Sequence, residues 1–451
     1  MKDTFESIVV RRPKSFTKDN LTALAAPADK DDWTQGYAVG SVWIDTIKKV
    51  YYVCSDSTQG SAIWHSFSIA STTGIQKFGY RRERTSDPNA RITYLEGAIG
   101  LPPSAMNFTS GNFDFGGWQT FTESVSRPVM LKTDGSVDYA LSRTDFTKKA
   151  DGSASDVSNT AYGGNAMIEF GKYRHVWRYS DSTYDYVIFA NGPVDANYKA
   201  YAHTNANGNA KDNFYWGAFK GYNKSSKLAS FADQTVMVSQ TRNTEVSYAQ
   251  ANGSGYNTIY KSGWDYINDL LTLISKSDDS QTKFGTGRSK NTITNAIATG
   301  TLKAQPMFKG YNDETSDVKV FGIEGFWGNV WEGMAGLILN SGIKVKMTPP
   351  YNFDGTDYYA TGITPSGTSG GYASTAQNLS EYGYVPSVAS GSASTYFCDG
   401  LWYNNSQVDY AFVGGGWISG LRVGARFVDL SGLASYSDAH LGSRLSYLDP
   451  A

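Results

Sequence analysis

The sequence predicts an irregular α+β protein dominated by short strands: a small β-rich module over residues 1–75, then one large body over 76–451. Three observations carry this reading. Aromatic residues make up 14% of the chain, with 31 Tyr, 22 Phe and 11 Trp beside 47 Gly, and only 18% is charged. That composition suits β-rich, loop-rich surface proteins better than helical cytosolic enzymes. Short apolar runs alternate with Gly, Asp and Ser turn clusters along most of the chain. Helical periodicity is convincing in one segment, Gly263 to Lys276.

In chain order, a polar lead with Arg11, Arg12 and Lys14 precedes the first strands. Gly36–Asp45 and Lys48–Cys54 read as two strands joined by a turn at Asp45–Lys48, with Ser61–Trp64 as a third. Residues 66–75 have the composition of a linker into the body. There, Arg127–Leu131, Ala166–Phe170 and Tyr184–Phe189 read as strands, while Asp134-Gly135 and Asp151-Gly152 read as turns. The helix sets Tyr266, Ile267, Leu270, Leu271, Leu273 and Ile274 at helical spacing, with Ser262 as its cap and Asp265, Asn268 and Asp269 on a polar flank. A preceding helix near 205–222 is only weakly signalled. No fixed repeat and no heptad pattern encodes a fibrous shaft.

A chain of 451 residues with mean hydropathy −0.39 has ample material for a core. Its net charge of −2 lacks the clustered basic face that a nucleic-acid binder needs. Met1–Glu6 carries acids rather than a signal peptide's apolar run, and no stretch has the length of a membrane span, so synthesis in a cytoplasm without membrane insertion is expected. For Cys54 and Cys398, two buried free thiols are favoured over a long-range disulfide. His65, His175, His203 and His440 are scattered, so neither a metal site nor a cofactor is expected.

Near the C-terminus, glycines adjoin indoles: Gly325-Phe326-Trp327-Gly328-Asn329-Val330-Trp331-Glu332, then Gly414-Gly415-Gly416-Trp417, followed by Arg426-Phe427 and Gly442-Ser443-Arg444. Glycine lets chains approach closely and an indole supplies apolar area, so Trp331 and Trp417 read as core. Glu332 reads as a buried acceptor for a backbone or indole N–H, with metal ligation as the alternative. In order and spacing these blocks resemble the formylglycine-generating (sulfatase-modifying-factor) proteins and their non-enzymatic C-type-lectin-like relatives. The resemblance is strongest over 318–448 and diffuse over 76–310. It implies a C-type-lectin-like body of the sulfatase-modifying-factor type, with Gly328, Asn329, Trp331, Glu332, Gly415 and Arg444 as its structural motif. The N-terminal pattern is similar to small β-modules near the start of bacteriophage fibre proteins.

Enzymes of that family need reactive cysteines in the C-terminal part, and this chain offers only Cys398 there. Gly367-Thr368-Ser369-Gly370-Gly371 formally matches a nucleophile elbow but lies in a Gly/Ser/Thr-rich loop. The acidic pairs Asp278-Asp279 and Asp313-Glu314 read as solvated surface, so no enzymatic activity is expected. In relatives diversified by phage retroelements, the segment after the Gly-Gly-x-Trp block displays contact side chains. Here that resemblance implies a ligand-binding set of Tyr403, Trp417, Ile418, Ser419, Leu421, Arg422 and Tyr436, on a stretch without period-two apolarity. Trp402, Tyr410 and Phe412 would extend it, and ordinary surface loops are the alternative. The expectation is a homo-oligomeric bacteriophage head or tail fibre component, trimeric by analogy, at the virion surface. Its N-terminal module would dock on other virion proteins and its C-terminal surface would bind a bacterial surface protein or glycan. A purely structural decoration protein is the alternative.

Overall fold

Alternation of aromatic and polar residues builds the first sheet. Strands β1 (Asn20–Ala23), β2 (Val42–Asp45), β3 (Val50–Asp56) and β4 (Ile63–Ser68) lie side by side in that order. Trp43 faces Tyr52 across β2–β3, and Cys54 faces Trp64 across β3–β4, so the period of two brings Trp43, Tyr52 and Trp64 to one face. Tyr37 joins Trp43 and Trp64 with ring centroids 5.4–5.8 Å apart. The sequence reading missed β1, which pairs in parallel with β2. A computed structural model describes residues 18–46, 50–68, 74–84, 88, 91–395 and 397–451. The basic lead, Met1–Glu6 and part of the turn after Asp45 fall outside the described residues, as do residues 69–73 of the expected linker, whose residues 66–68 belong to β4.

The chain divides into two units, Met1–Gly74 and Ile75–Ala451. The second unit is mostly sheet with a few helices. In chain order its principal elements are β5 (Lys77–Glu83), β6 (Ile92–Glu96), α1 (Gln119–Val125), β7 (Ser126–Lys132), β8 (Gly164–Phe170), β9 (His175–Ser180), β10 (Tyr184–Ala190) and β11 (Phe214–Gly217). They continue with α2 (Arg242–Gln250), α3 (Lys261–Ser275), α4 (Ser280–Phe284), β12 (Trp331–Leu339), β13 (Gly400–Tyr403), β14 (Asp409–Val413), β15 (Val428–Gly432) and β16 (Leu445–Tyr447). One sheet runs β9-β10-β5-β6, and a second contains β7-β8-β11-β16. The third, with β12-β14-β15-β13 at its centre, carries the C-terminal motif.

Helix α3 starts at Lys261, two residues before the expected Gly263. Tyr260 stands at its N-cap without a side-chain hydrogen bond, and Ser262, expected as the cap, instead donates to Met347 O at 2.6 Å. All of its residues are buried, including the expected polar flank. Asp269 is paired with Arg178 on β9 at 2.8 Å and with Arg426 at 2.7 Å, and Lys261 pairs with Asp265. Asp278 is likewise buried, against expectation, between Arg82 at 2.5 Å and Arg91 at 2.6 Å. Burial alone would raise its carboxyl, but the two guanidiniums hold it well below the usual carboxylate range. Asp279 is buried too and caps α4 through Thr282 N at 3.0 Å. The expected 205–222 helix is replaced by β11, and the helix preceding α3 is α2. Its buried face holds Arg242 and Glu245, an ion pair that leaves no apolar periodicity to read.

Candidate functional site: a rim groove on a buried aromatic frame

The glycine–indole blocks meet in space. Gly328 N donates to Gly414 O at 3.0 Å and Trp417 N donates to Asn329 O at 2.9 Å, so the two segments hydrogen-bond directly. Gly415 has φ +77°, and a Cβ there would lie 2.5 Å from Val423 Cγ2. A larger residue would be strained and would collide. The Asn329 side chain anchors the pair, accepting from Ile297 N at 3.1 Å and donating to Ile297 O at 3.3 Å. Trp331 and Trp417 are 4% and 5% exposed, which makes both indoles frame. Trp331 packs on Phe427 at 4.5 Å between centroids, and Trp417 packs on Val236 and Val330.

Charge holds the same frame from beneath. Glu332 accepts from Arg444 Nη2 at 2.6 Å, Arg444 Nε at 3.1 Å and Lys220 Nζ at 2.9 Å. It is thus a buried acceptor, but its donors are charged side chains rather than a backbone or indole N–H. Arg444, fully buried, also donates to Gly217 O at 2.9 Å and Glu324 O at 2.8 Å, tying β11 to β12. Burial pushes the Glu332 carboxyl up, yet Arg444 and Lys220 outweigh that and hold it below its ordinary value.

On this frame lies a groove of about 510 Å³. Its floor follows from strand alternation in β15: Val428 and Leu430 enter the core, leaving Asp429 and Ser431 on the outer side. Trp402 of β13 stands opposite Asp429 and half-exposed at the groove's edge. The Arg422 guanidinium lies 5.7 Å from the Trp402 ring centroid and donates to Gly370 O. Gly370 has φ +88°, and a Cβ there would come within 2.6 Å of the indole. Across the groove, Asp438 accepts from the Tyr436 hydroxyl at 3.2 Å and lies 2.6 Å from His440 Nδ1. Exposed Ile418, Leu433 and Tyr436 join Trp402 in the apolar lining, with buried Trp331, Phe412 and Leu441 beneath them. Asp429 accepts from Ser431 N at 2.8 Å and Ser431 Oγ at 2.6 Å, and burial raises its carboxyl above the ordinary value.

The sequence-derived contact set divides. Ile418, Arg422 and Tyr436 meet at the groove, while exposed Leu421 lines a neighbouring shallow depression on the other side of Arg422. Ser419 also lines the groove, although it is largely buried and its Oγ accepts from Gly416 N at 3.0 Å to hold the loop. Trp417 is buried in the frame and does not line the groove. Tyr403 packs on the core and donates to Gly367 O at 2.6 Å, since a one-residue step along a strand reverses the face. Tyr410 is buried away from the groove, and Phe412, also buried, lines it. Asp429, Leu433 and His440 lie in the segment after the Gly-Gly-x-Trp block, but sequence reasoning did not single them out as contact residues.

Ser369 Oγ donates to Tyr403 O at 2.8 Å and accepts from Tyr403 N at 2.9 Å, which pins its loop to β13; no helix follows to make an elbow. Cys398 is a buried free thiol whose pKa is raised, chiefly by burial. Burial also takes His203 down to about 3. Among the described residues, no group of three or more His, Cys, Asp or Glu is placed to hold a metal ion. Among them, no helix is long and apolar enough to cross a membrane.

No protein-family model matches this sequence, and none of the curated proteins compared with it does. Among solved structures, the Major Tropism Determinant U1 variant aligns over 96% of this chain and 99% of its own, at 12% identity and a TM-score of 0.28. The M1 variant aligns over 96% and 98%, at 11% identity and 0.29, and the P3c variant over 91% and 94%, at 12% and 0.29. At such TM-scores the likeness decides neither fold nor function.

Proposed function

We propose that the protein is a bacteriophage virion component, a head or tail fibre protein, whose rim groove binds a protein or glycan on the bacterial surface. One observation carries this reading: four large apolar side chains, Trp402, Ile418, Leu433 and Tyr436, are exposed together around one groove whose supports are buried and hydrogen-bonded. Exposed apolar area on a rigid base is what a recognition surface needs, because aromatic anchors lose little freedom on binding. The resemblance of the glycine–indole blocks to the C-type-lectin-like branch of the sulfatase-modifying-factor proteins supports the same reading.

The first unit is the attachment module in this proposal. It exposes Leu24, Trp33, Val39 and Ile63 over a small sheet, apolar area that contact with other virion proteins would cover. The assembled protein is a homo-oligomer, with a trimer favoured, at the virion surface. A protein beginning at Ile75 is expected to fold but stay off particles, and particles carrying Trp402→Ala, Ile418→Ser and Tyr436→Ala are expected to assemble but not adsorb. Normal adsorption by such particles would leave a purely structural decoration role as the account.

A further inference from the structure

A second cavity, of about 430 Å³, has walls from the turn after α2, the 349–351 segment and the residues following β16. It shares no lining residue with the rim groove. Its apolar lining is Tyr351, Pro349, Pro350, Leu448 and Pro450, with Tyr260 stacked near Tyr351 at 6.1 Å between centroids. Its polar lining is neutral. Gln250 and Ser254 are exposed there, and their side chains, like the Asn257 amide nitrogen, have no hydrogen-bond partner among the described residues. Ser254 is held out on a Gly253-Ser254-Gly255 turn, in which Gly255 has φ +84° and passes close to Leu448 O. No lining side chain is charged.

The composition selects a ligand class by elimination. A charged ligand would enter without a compensating charge, which is costly in a partly desolvated site. A purely apolar ligand would leave free amides and a hydroxyl unpaired. A neutral polyhydroxylated molecule suits this mixed lining, offering C–H surfaces to tyrosine and proline and hydroxyls to Gln250, Ser254 and Asn257, in a volume within the usual range of small-ligand sites. We infer that this cavity is a binding site for a neutral saccharide, separate from the rim groove and independent of the function proposed for it.

Saturation-transfer NMR on the full chain tests this, with glucose, galactose and N-acetylglucosamine as probes and N-acetylneuraminic acid as the charged control. At least one neutral sugar is expected to receive saturation and the acid none. Gln250→Ala should weaken that binding about tenfold, equivalent to about 1.4 kcal/mol, and Ser254→Trp, which fills the mouth from an exposed turn, should abolish it. Neither should lower the melting temperature, and both effects should persist in a Trp402→Ala background, where the rim groove has lost an anchor. The inference is overturned if no neutral sugar responds, if the acid responds equally, if the signal survives Ser254→Trp, or if Trp402→Ala removes it.

Discussion

The centre and the rim of the second unit reverse the usual placing of charge and apolar surface. At the centre, Arg82, Arg91 and Asp278, then Arg178, Asp269 and Arg426, then Glu332, Lys220 and Arg444 form ion pairs almost wholly withdrawn from water. At the rim, Trp402, Ile418, Leu433 and Tyr436 stand exposed. Buried pairs of this kind add little net stability compared with apolar packing, but losing one partner strands the other without solvent. They therefore fix which strands meet. The rim side chains fix nothing, and so are free to meet a ligand.

The comparison breaks most sharply at Arg444. Arg444→Met leaves Glu332 short of its principal partner and is expected to cost about 3–5 kcal/mol, read as a lower urea midpoint. Trp331→Ala should cost a similar amount, about 3–5 kcal/mol, through the cavity left beside Phe427. A change below about 1 kcal/mol in either would mean that the frame does not depend on that side chain.

A smaller effect depends on pH. Asp409, on β14, is buried with Oδ2 unpaired, and burial raises its carboxyl from 3.8 to about 6. Because the folded value is the higher one, the stability it contributes is complete below 3.8 and is lost as pH rises through about 6. Asp409→Asn should flatten that slope and melt higher than the parent at pH 8. An unchanged pH profile would show that Asp409 is ionised without penalty. Smallest of all, Leu421→Ser and Ile418→Ser should each shift stability by less than about 0.5 kcal/mol in thermal melts.

What could be read in the sequence follows the same division. Gly328, Gly415, Trp331 and Trp417 were legible because a glycine beside an indole has few uses other than close packing. The loop at Ile418 and Arg422 was legible because period-two apolarity fails there. Trp402 and Asp429 come together only through a strand register linking positions far apart in the chain, so no local pattern announces the pair, and ranking Tyr403 in the contact set with Trp402 only as an extension turned on a single residue of phase. Asp269 and Asp278 looked like surface because sequence shows the acid but not the arginines that folding brings to it. Helix α2 was missed for the same reason, its inner face being ionic.

The most direct measurement sets stability beside binding in one protein, Trp402→Ala with Tyr436→Ala, using thermal melts and adsorption to host bacteria in parallel with Arg444→Met. The account predicts that the double variant melts with the parent yet no longer binds, whereas Arg444→Met loses stability first and binding only as a consequence. A double variant that binds host cells as the parent does, at unchanged stability, would contradict the groove's role in recognition.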